Sequence, residues 1–153
     1  MSRVEGKPGR LIIGIGNPSR GDDALGPLAI ERLEALNLPD VELLSDFQLQ
    51  VEYVLDLAGR DEVIFIDASV DPALAGFSFL PVRAQRDTSY SSHALSPAAL
   101  LAAYEHHHGR PPPPCHVLAI RGHAFGLGEG LSAAAAAAFE DALVFLARRL
   151  SVA

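Results

Sequence analysis

Residues 11–26 read LIIGIGNPSRGDDALG, and this stretch decides the fold. It opens with an apolar run of strand length, passes through Gly14 and Gly16, and reaches Asp22 and Asp23 where a helical pattern begins. A strand, a glycine-rich turn and a helix start make the first part of an open α/β sheet. In such sheets ligands bind beyond the carboxyl ends of the strands. We therefore expect a functional site near Asp22 and Asp23.

Two common nucleotide-binding motifs do not fit this turn. A dinucleotide fingerprint needs G-x-G-x-x-G, whereas Gly14 and Gly16 are followed next by Gly21. A P-loop ends in Gly-Lys-Ser/Thr, and here two aspartates, which repel phosphate, stand in that place. The simpler alternative stays open, because an aspartate at a helix entrance often only accepts free amide hydrogens, for about 0.5–2 kcal/mol. One of the two aspartates is expected to be such a cap.

The composition predicts one globular domain without a nucleic-acid or membrane partner. The 153 residues carry a net charge of −7, whereas nucleic-acid-binding domains usually have a basic surface. No apolar run approaches the ~20 residues of a membrane span, and residues 1–10 lack the hydrophobic region of a signal peptide. Cys115 is the only cysteine, so no internal disulfide can form. We expect a cytoplasmic protein.

The pattern along the chain predicts a three-layer α/β/α sandwich with a mostly parallel, five-stranded sheet. Residues 1–10 are expected to be a disordered lead-in, and residues 11–153 a single domain. The five strands are predicted at 11–16, 41–45, 62–68, 76–82 and 115–121. The four helices are predicted after the first strand, at 49–58, from Ser96-Pro97 to about Tyr104, and after Ser132.

The strand EVIFIDA (residues 62–68) places Asp67 at the edge of the sheet that holds Asp22 and Asp23, provided the strands are parallel. His93 ends a polar loop just before another helix. Carboxylates and an imidazole at one edge suit a divalent metal such as nickel or zinc. Capping and loop hydrogen bonds remain the plainer explanation of the same residues.

Three blocks of sequence occur in a fixed order: GIGNPSRGDD with its helix, then VIFIDA, then SHALSP. Together they resemble the hydrogenase maturation endopeptidases, which process the large subunits of NiFe hydrogenases. Their order and spacing match, and the similarity covers residues 11–150, including FGLGEGLS (residues 125–132) before the last helix. The DFQLQ segment (residues 46–50) favours the branch that serves soluble NAD-linked hydrogenases.

The resemblance implies a nickel-dependent, aspartic-type endopeptidase that removes a C-terminal extension from the precursor of a hydrogenase large subunit. Its metal-ligating and catalytic residues fall on Asp23, Asp67 and His93, with Asp22 as the less favoured ligand. The nickel is expected to come with the substrate, and neither a serine nor a cysteine nucleophile is expected. We expect a monomer. The alternatives are a non-catalytic nickel chaperone and a conventional metallohydrolase.

Two positions depart from the pattern of the family that the sequence resembles. Many relatives have glutamate at the position of Asp23, and aspartate is shorter by one carbon–carbon bond, about 1.5 Å. Many also have Gly-Thr-x-Gly where this chain has FQLQ (residues 47–50). The first departure concerns the distance between turn and metal, and the second concerns substrate choice.

The remaining reactive side chains are expected to be structural. Histidines 106–108 follow a predicted helix, where they complement its negative end. Cys115 opens a strand, where a thiol is usually a small apolar group, although a cysteine protease using Cys115 and His93 is conceivable. His123 lies in a glycine-rich loop from which it could touch substrate.

Overall fold

A computed structural model describes residues 6–86 and 95–151. Within these residues, five strands and four α-helices alternate along most of the sequence, as predicted. The strands are β1 (Arg10–Ile15), β2 (Val41–Asp46), β3 (Glu62–Ser69), β4 (Phe77–Pro81) and β5 (Cys115–Arg121). The helices are α1 (Leu25–Glu34), α2 (Val54–Leu57), α3 (Pro97–His108) and α4 (Ala133–Ser151).

The strands form one sheet in the order β2-β1-β3-β5-β4. The pairs β1–β2, β1–β3 and β3–β5 are parallel, and β4 pairs antiparallel with β5 at the edge. The register places Gly14 opposite Ile66, so the turn after β1 and the end of β3 meet at the same edge. This edge, where the parallel strands end, is called the carboxyl edge below.

Two hydrophobic layers cover the faces of the sheet. Alternate residues of β1 point to opposite faces, because side chains of a strand alternate. Ile12 packs with α1 and α4, whereas Leu11 and Ile13 pack with α2 and α3. The central strand β3 is buried on both faces, as expected for a parallel strand covered by helices. The predicted three-layer α/β/α architecture with a mostly parallel five-stranded sheet is confirmed.

Two local predictions differ from the structure. Where a helix was predicted over 49–58, a 3₁₀ turn at Val51–Tyr53 precedes the single-turn helix α2. Helix α3 continues past the predicted end at Tyr104 to His108, because Gly109 ends it in the left-handed conformation at φ 67°. At the amino-terminal end of the described residues, Lys7 donates to the carbonyl of Ala58 at 2.7 Å.

The amino edge of the sheet, opposite the carboxyl edge, is held by a network around the buried carboxylate of Glu62. Arg10 lies 3.3 Å, Arg149 2.5 Å and His116 3.2 Å from the Glu62 oxygens. Paired ions of this kind leave little free charge for chemistry at that edge. Among the described residues, no helix is both long and apolar enough to span a bilayer.

Candidate active site at the carboxyl edge

Asp23 lies in a 3₁₀ turn, Gly21–Ala24, that connects β1 to α1. Its Oδ2 accepts a hydrogen bond from the backbone N–H of Asn17 at 2.8 Å, which closes the turn on itself. Among the described residues, Oδ1 of Asp23 accepts no hydrogen bond. Gly16 has φ 146°, and a Cβ at this position would overlap the carbonyl oxygen of Asp23. Only glycine lets the chain turn so closely around this carboxylate.

Asp67 is the neighbouring carboxylate, one residue beyond the last β3 residue that pairs with β1. Burial is the main cause that raises the pKa of Asp67 to about 7; the negative charge of Asp23 also raises it, and a hydrogen bond from the Ala68 N–H lowers it. An ordinary aspartate in a protein has a pKa near ~3.5–4. Asp67 is therefore held where its negative charge is poorly compensated. A cation bound at this place would remove that cost.

The structure thus brings Asp23 and Asp67 together, as the sequence predicts, close enough for one charge to act on the other. Two carboxylates supply hard oxygen donors that suit a divalent cation, and adding a nitrogen ligand would favour a transition metal. Within residues 6–86 and 95–151, no cluster of three metal-ligating side chains is present. The third predicted ligand, His93, lies outside the described residues.

Asp22 has a different environment from its neighbour. Its side chain is fully buried, and its oxygens accept four hydrogen bonds, all from residues 123–132. The donors are the N–H groups of His123 (2.6 Å), Ala124 (2.9 Å) and Ser132 (2.7 Å) and the Ser132 hydroxyl (2.7 Å).

These hydrogen bonds decide the charge state of Asp22. Burial alone would raise its pKa, but the hydrogen bonds from His123, Ser132 and Ala124 outweigh burial and lower the pKa below its usual value. With both oxygens occupied by protein donors, Asp22 has a structural environment, whereas Asp23 keeps one oxygen free of described partners.

Ser132 is a partner of Asp22 that the sequence did not predict. It was predicted only as the cap of the last helix, and its Oγ does accept from the Ala135 N–H at 3.2 Å. The same hydroxyl donates to Asp22. A serine before an alanine-rich run indicates a cap, but no pattern in the sequence indicates its partner 110 residues away.

The other reactive side chains lie away from the two carboxylates or have structural partners. Cys115 opens β5 at the amino edge, and its thiol donates to the Pro113 carbonyl at 3.2 Å. Burial, together with the charge of Glu62, raises the pKa of the Cys115 thiol to about 12, so a thiolate nucleophile is disfavoured. His108 contacts the carbonyl of Val54 at 2.9 Å, and its ring packs on Tyr104.

Comparison with known proteins gives a consistent result. A structure of the NiFe hydrogenase maturation protease HycI from Thermococcus kodakarensis matches with a TM-score of 0.75 and 28% identity over 96% of this chain and 95% of that one. The hydrogenase maturating endopeptidase HybD from Escherichia coli matches with a TM-score of 0.72 and 29% identity, covering 94% of this chain and 93% of the other. Over nearly its whole length, the chain is therefore similar to structures of hydrogenase maturation proteases.

A curated member of this family, the Hydrogenase 2 maturation protease of Escherichia coli, is 33% identical over 92 residues. That alignment covers 59% of this chain and 56% of the relative, so it spans little more than half of the curated protein. No family model matches the sequence. The maturation-protease fold therefore rests on the whole-chain structural matches and on the shorter alignment together.

Proposed function

We propose that this protein is an endopeptidase that removes a C-terminal extension from the precursor of a NiFe hydrogenase large subunit after nickel insertion. The observation that carries the proposal is the pair Asp23 and Asp67, two carboxylates at the carboxyl edge, where the charge of Asp23 helps to raise the pKa of Asp67. The similarity to a maturation protease and to a maturating endopeptidase supports the same chemistry.

Nickel enters this proposal as part of the substrate. The oxygens of Asp23 and Asp67 would bind the metal already held in the precursor, with His93 as the third ligand that the sequence predicts. Nickel bound in this way polarises a carbonyl or an attacking water. The contribution of the protein is placement, because Asp23 is fixed by the Asn17 N–H and Asp67 by its strand.

Docking through substrate-borne nickel also provides a checkpoint. A precursor without nickel would present no anchor to the two carboxylates, so it would not be cleaved. We propose further that the protein acts as a cytoplasmic monomer. Size-exclusion chromatography with light scattering checks the monomer, with a mass near the 16.2 kDa of the chain as the expected result.

The experiment that tests the activity is an endpoint assay on a purified, nickel-loaded large-subunit precursor. Intact-mass spectrometry should show loss of one C-terminal peptide with the wild-type protein and no loss with Asp67→Asn. A control variant at an exposed histidine, His106→Gln, should cleave like wild type. If the loaded precursor stays intact, the endopeptidase proposal is wrong and the nickel chaperone becomes the better explanation.

Metal analysis of the purified protein distinguishes a conventional metallohydrolase from the proposed maturation protease. A conventional metallohydrolase would retain about one equivalent of its own zinc or nickel after dialysis. The proposed maturation protease should retain far less, because in this proposal the nickel arrives already held by the substrate.

A further inference from the structure

We propose that Asp22 is a positioning residue, which fixes the turn carrying Asp23 against the loop of residues 122–132 so that Asp23 meets substrate-borne nickel in one geometry. This inference rests on the proposed function. It concerns a residue that the ligand set itself does not use, and it assigns the buried carboxylate a role in the reaction as well as in the fold.

The turn and the loop are joined by more than the four hydrogen bonds of the Asp22 carboxylate. Three backbone hydrogen bonds link the same two segments. The Asp22 N–H donates to the Ala124 carbonyl at 2.7 Å, Gly21 to Glu129 at 3.2 Å, and Gly128 to Ser19 at 2.7 Å. Seven hydrogen bonds therefore connect segments about one hundred residues apart, and Asp22 contributes to five of them.

The turn has internal backbone hydrogen bonds, from Arg20 to Asn17 at 3.2 Å and from Asp23 to Arg20 at 3.0 Å, but it lacks a side-chain cap. Neither the 3₁₀ turn nor α1 has a side-chain cap at its start. Gly21 has φ 53°, and a Cβ there would overlap the carbonyl oxygen of Ala124, so the turn already lies directly on the loop. Within the described residues, the only hydrogen bond to the Asp23 side chain comes from Asn17, in the same turn. The position of Asp23 therefore depends on the neighbouring loop as well as on the hydrogen bonds within the turn.

The loop lies directly beside the turn that carries Asp23. It follows β5 at the carboxyl edge, and it exposes His123 and Leu127, the latter with 69% of its surface accessible. Asp22 thus connects a loop that faces solvent beside the site to the turn that carries a ligand. A misplacement of about 1 Å at a reacting centre can cost about 100-fold in rate, so loosening this connection should reduce catalysis.

The test compares Asp22→Asn and Ser132→Ala with a destabilised control, Leu146→Ala. Leu146 is fully buried in α4, 14 residues or about 21 Å along the helix from Ser132. All variants are assayed well below their unfolding temperatures on the nickel-loaded precursor. We expect Asp22→Asn to lower kcat at least 10-fold, Ser132→Ala to lower it less, and Leu146→Ala to leave kcat within twofold of wild type.

A second readout is independent of cleavage. The Asn17 amide reports the turn, because it donates to Asp23, so its hydrogen exchange should speed up at least 10-fold in Asp22→Asn and not in Leu146→Ala. Unchanged Asn17 exchange, or equal losses of kcat in Asp22→Asn and in the control, would overturn the positioning role. Failure of the wild-type protein to cleave would instead overturn the proposed function, and the exchange experiment would still decide whether Asp22 fixes the turn.

Discussion

The carboxylate of Asp22 receives both the N–H and the hydroxyl of Ser132, each at 2.7 Å, across 110 residues of sequence. An aspartate at the start of α1 is thus part of the capping arrangement of α4, because Ser132 also accepts from the Ala135 N–H. The charge at this helix start complements the positive end of the α4 dipole. The Asp22 carboxylate therefore joins the turn between β1 and α1 to the loop between β5 and α4.

Replacing Asp22 should destabilise the protein strongly. Asp22→Asn removes the charge and one acceptor from a fully buried site with four donors. Hydrogen bonds to charged groups contribute about 1.5–3 kcal/mol each, so we expect the free energy of unfolding to fall by about 2–4 kcal/mol at neutral pH. Urea denaturation measures it, and Asp23→Asn, which loses part of one backbone contact, should cost less than half as much.

The cost of Asp22→Asn should also depend on pH. The pKa of Asp22 is lowered in the folded state, so its carboxylate contributes stability above the unfolded pKa of about 4, and this stability is lost as pH falls through the lower folded pKa. The difference between wild type and Asp22→Asn should therefore be largest near neutral pH and shrink below about pH 4. A difference that grows on acidification contradicts the assigned charge state.

For Asp67 we expect the opposite dependence of protein stability on pH. Its folded pKa of about 7 lies above the unfolded value, so ionised Asp67 destabilises the metal-free protein, and stability falls as pH rises from about 4 to about 7. Asp67→Asn, without a charge, should raise the free energy of unfolding by at least ~1 kcal/mol at pH 8, since one pKa unit corresponds to ~1.4 kcal/mol. At pH 4 the two proteins should be nearly equal. A variant less stable than wild type at pH 8 would show that the carboxylate is structural.

The backbone around Asp23 leaves no room at Gly16. Gly16→Ala would place a methyl group against the Asp23 carbonyl at φ 146°, so the turn must shift. We expect a loss of at least ~2 kcal/mol in stability and a larger proportional loss of precursor cleavage than in a variant of equal stability. Gly76→Ala is the matched control, because Gly76 also has positive φ but an added Cβ meets no atom within 4 Å.

The three predicted ligands should be needed for cleavage but not for folding. Asp23→Asn, Asp67→Asn and His93→Gln should each lower the rate of precursor cleavage at least 100-fold while circular dichroism spectra stay unchanged. His107 lies outside the proposed site and serves as the control, so His107→Gln should cleave the precursor at the wild-type rate. Wild-type cleavage by any of the three ligand variants would remove that residue from the proposed set.

Much of this architecture follows from local sequence signals. The run IIGIG and the run VIFI are strand patterns buried on both faces, and β-strands separated by helices imply a parallel sheet. Parallel order in turn brings Asp23 and Asp67 to one edge. The local signals gave a wrong helix end where tertiary contacts stabilise additional helical residues. Helix α3 continued to His108, whose ring packs on Tyr104 and contacts Val54.

The sequence could not show that Asp22 and Asp23 have different environments, although they are adjacent. Asp22 and Asp23 are chemically identical and differ only in what surrounds them. Asp22 meets donors of residues 123–132, which reach it through the order of the sheet, whereas Asp23 meets its own turn. Hydrogen bonds between residues so far apart produce no periodic pattern in the sequence. The structural role of Asp22 is therefore visible only in the folded chain.

The central claim is that substrate-borne nickel is the anchor for Asp23 and Asp67. The most direct test measures cleavage of one hydrogenase large-subunit precursor, prepared with and without nickel, by intact mass. Loss of a C-terminal peptide from the loaded form alone, at least 100-fold faster than from the nickel-free form, is the predicted result. Equal cleavage of both forms would contradict docking through nickel, even if the protein is an endopeptidase.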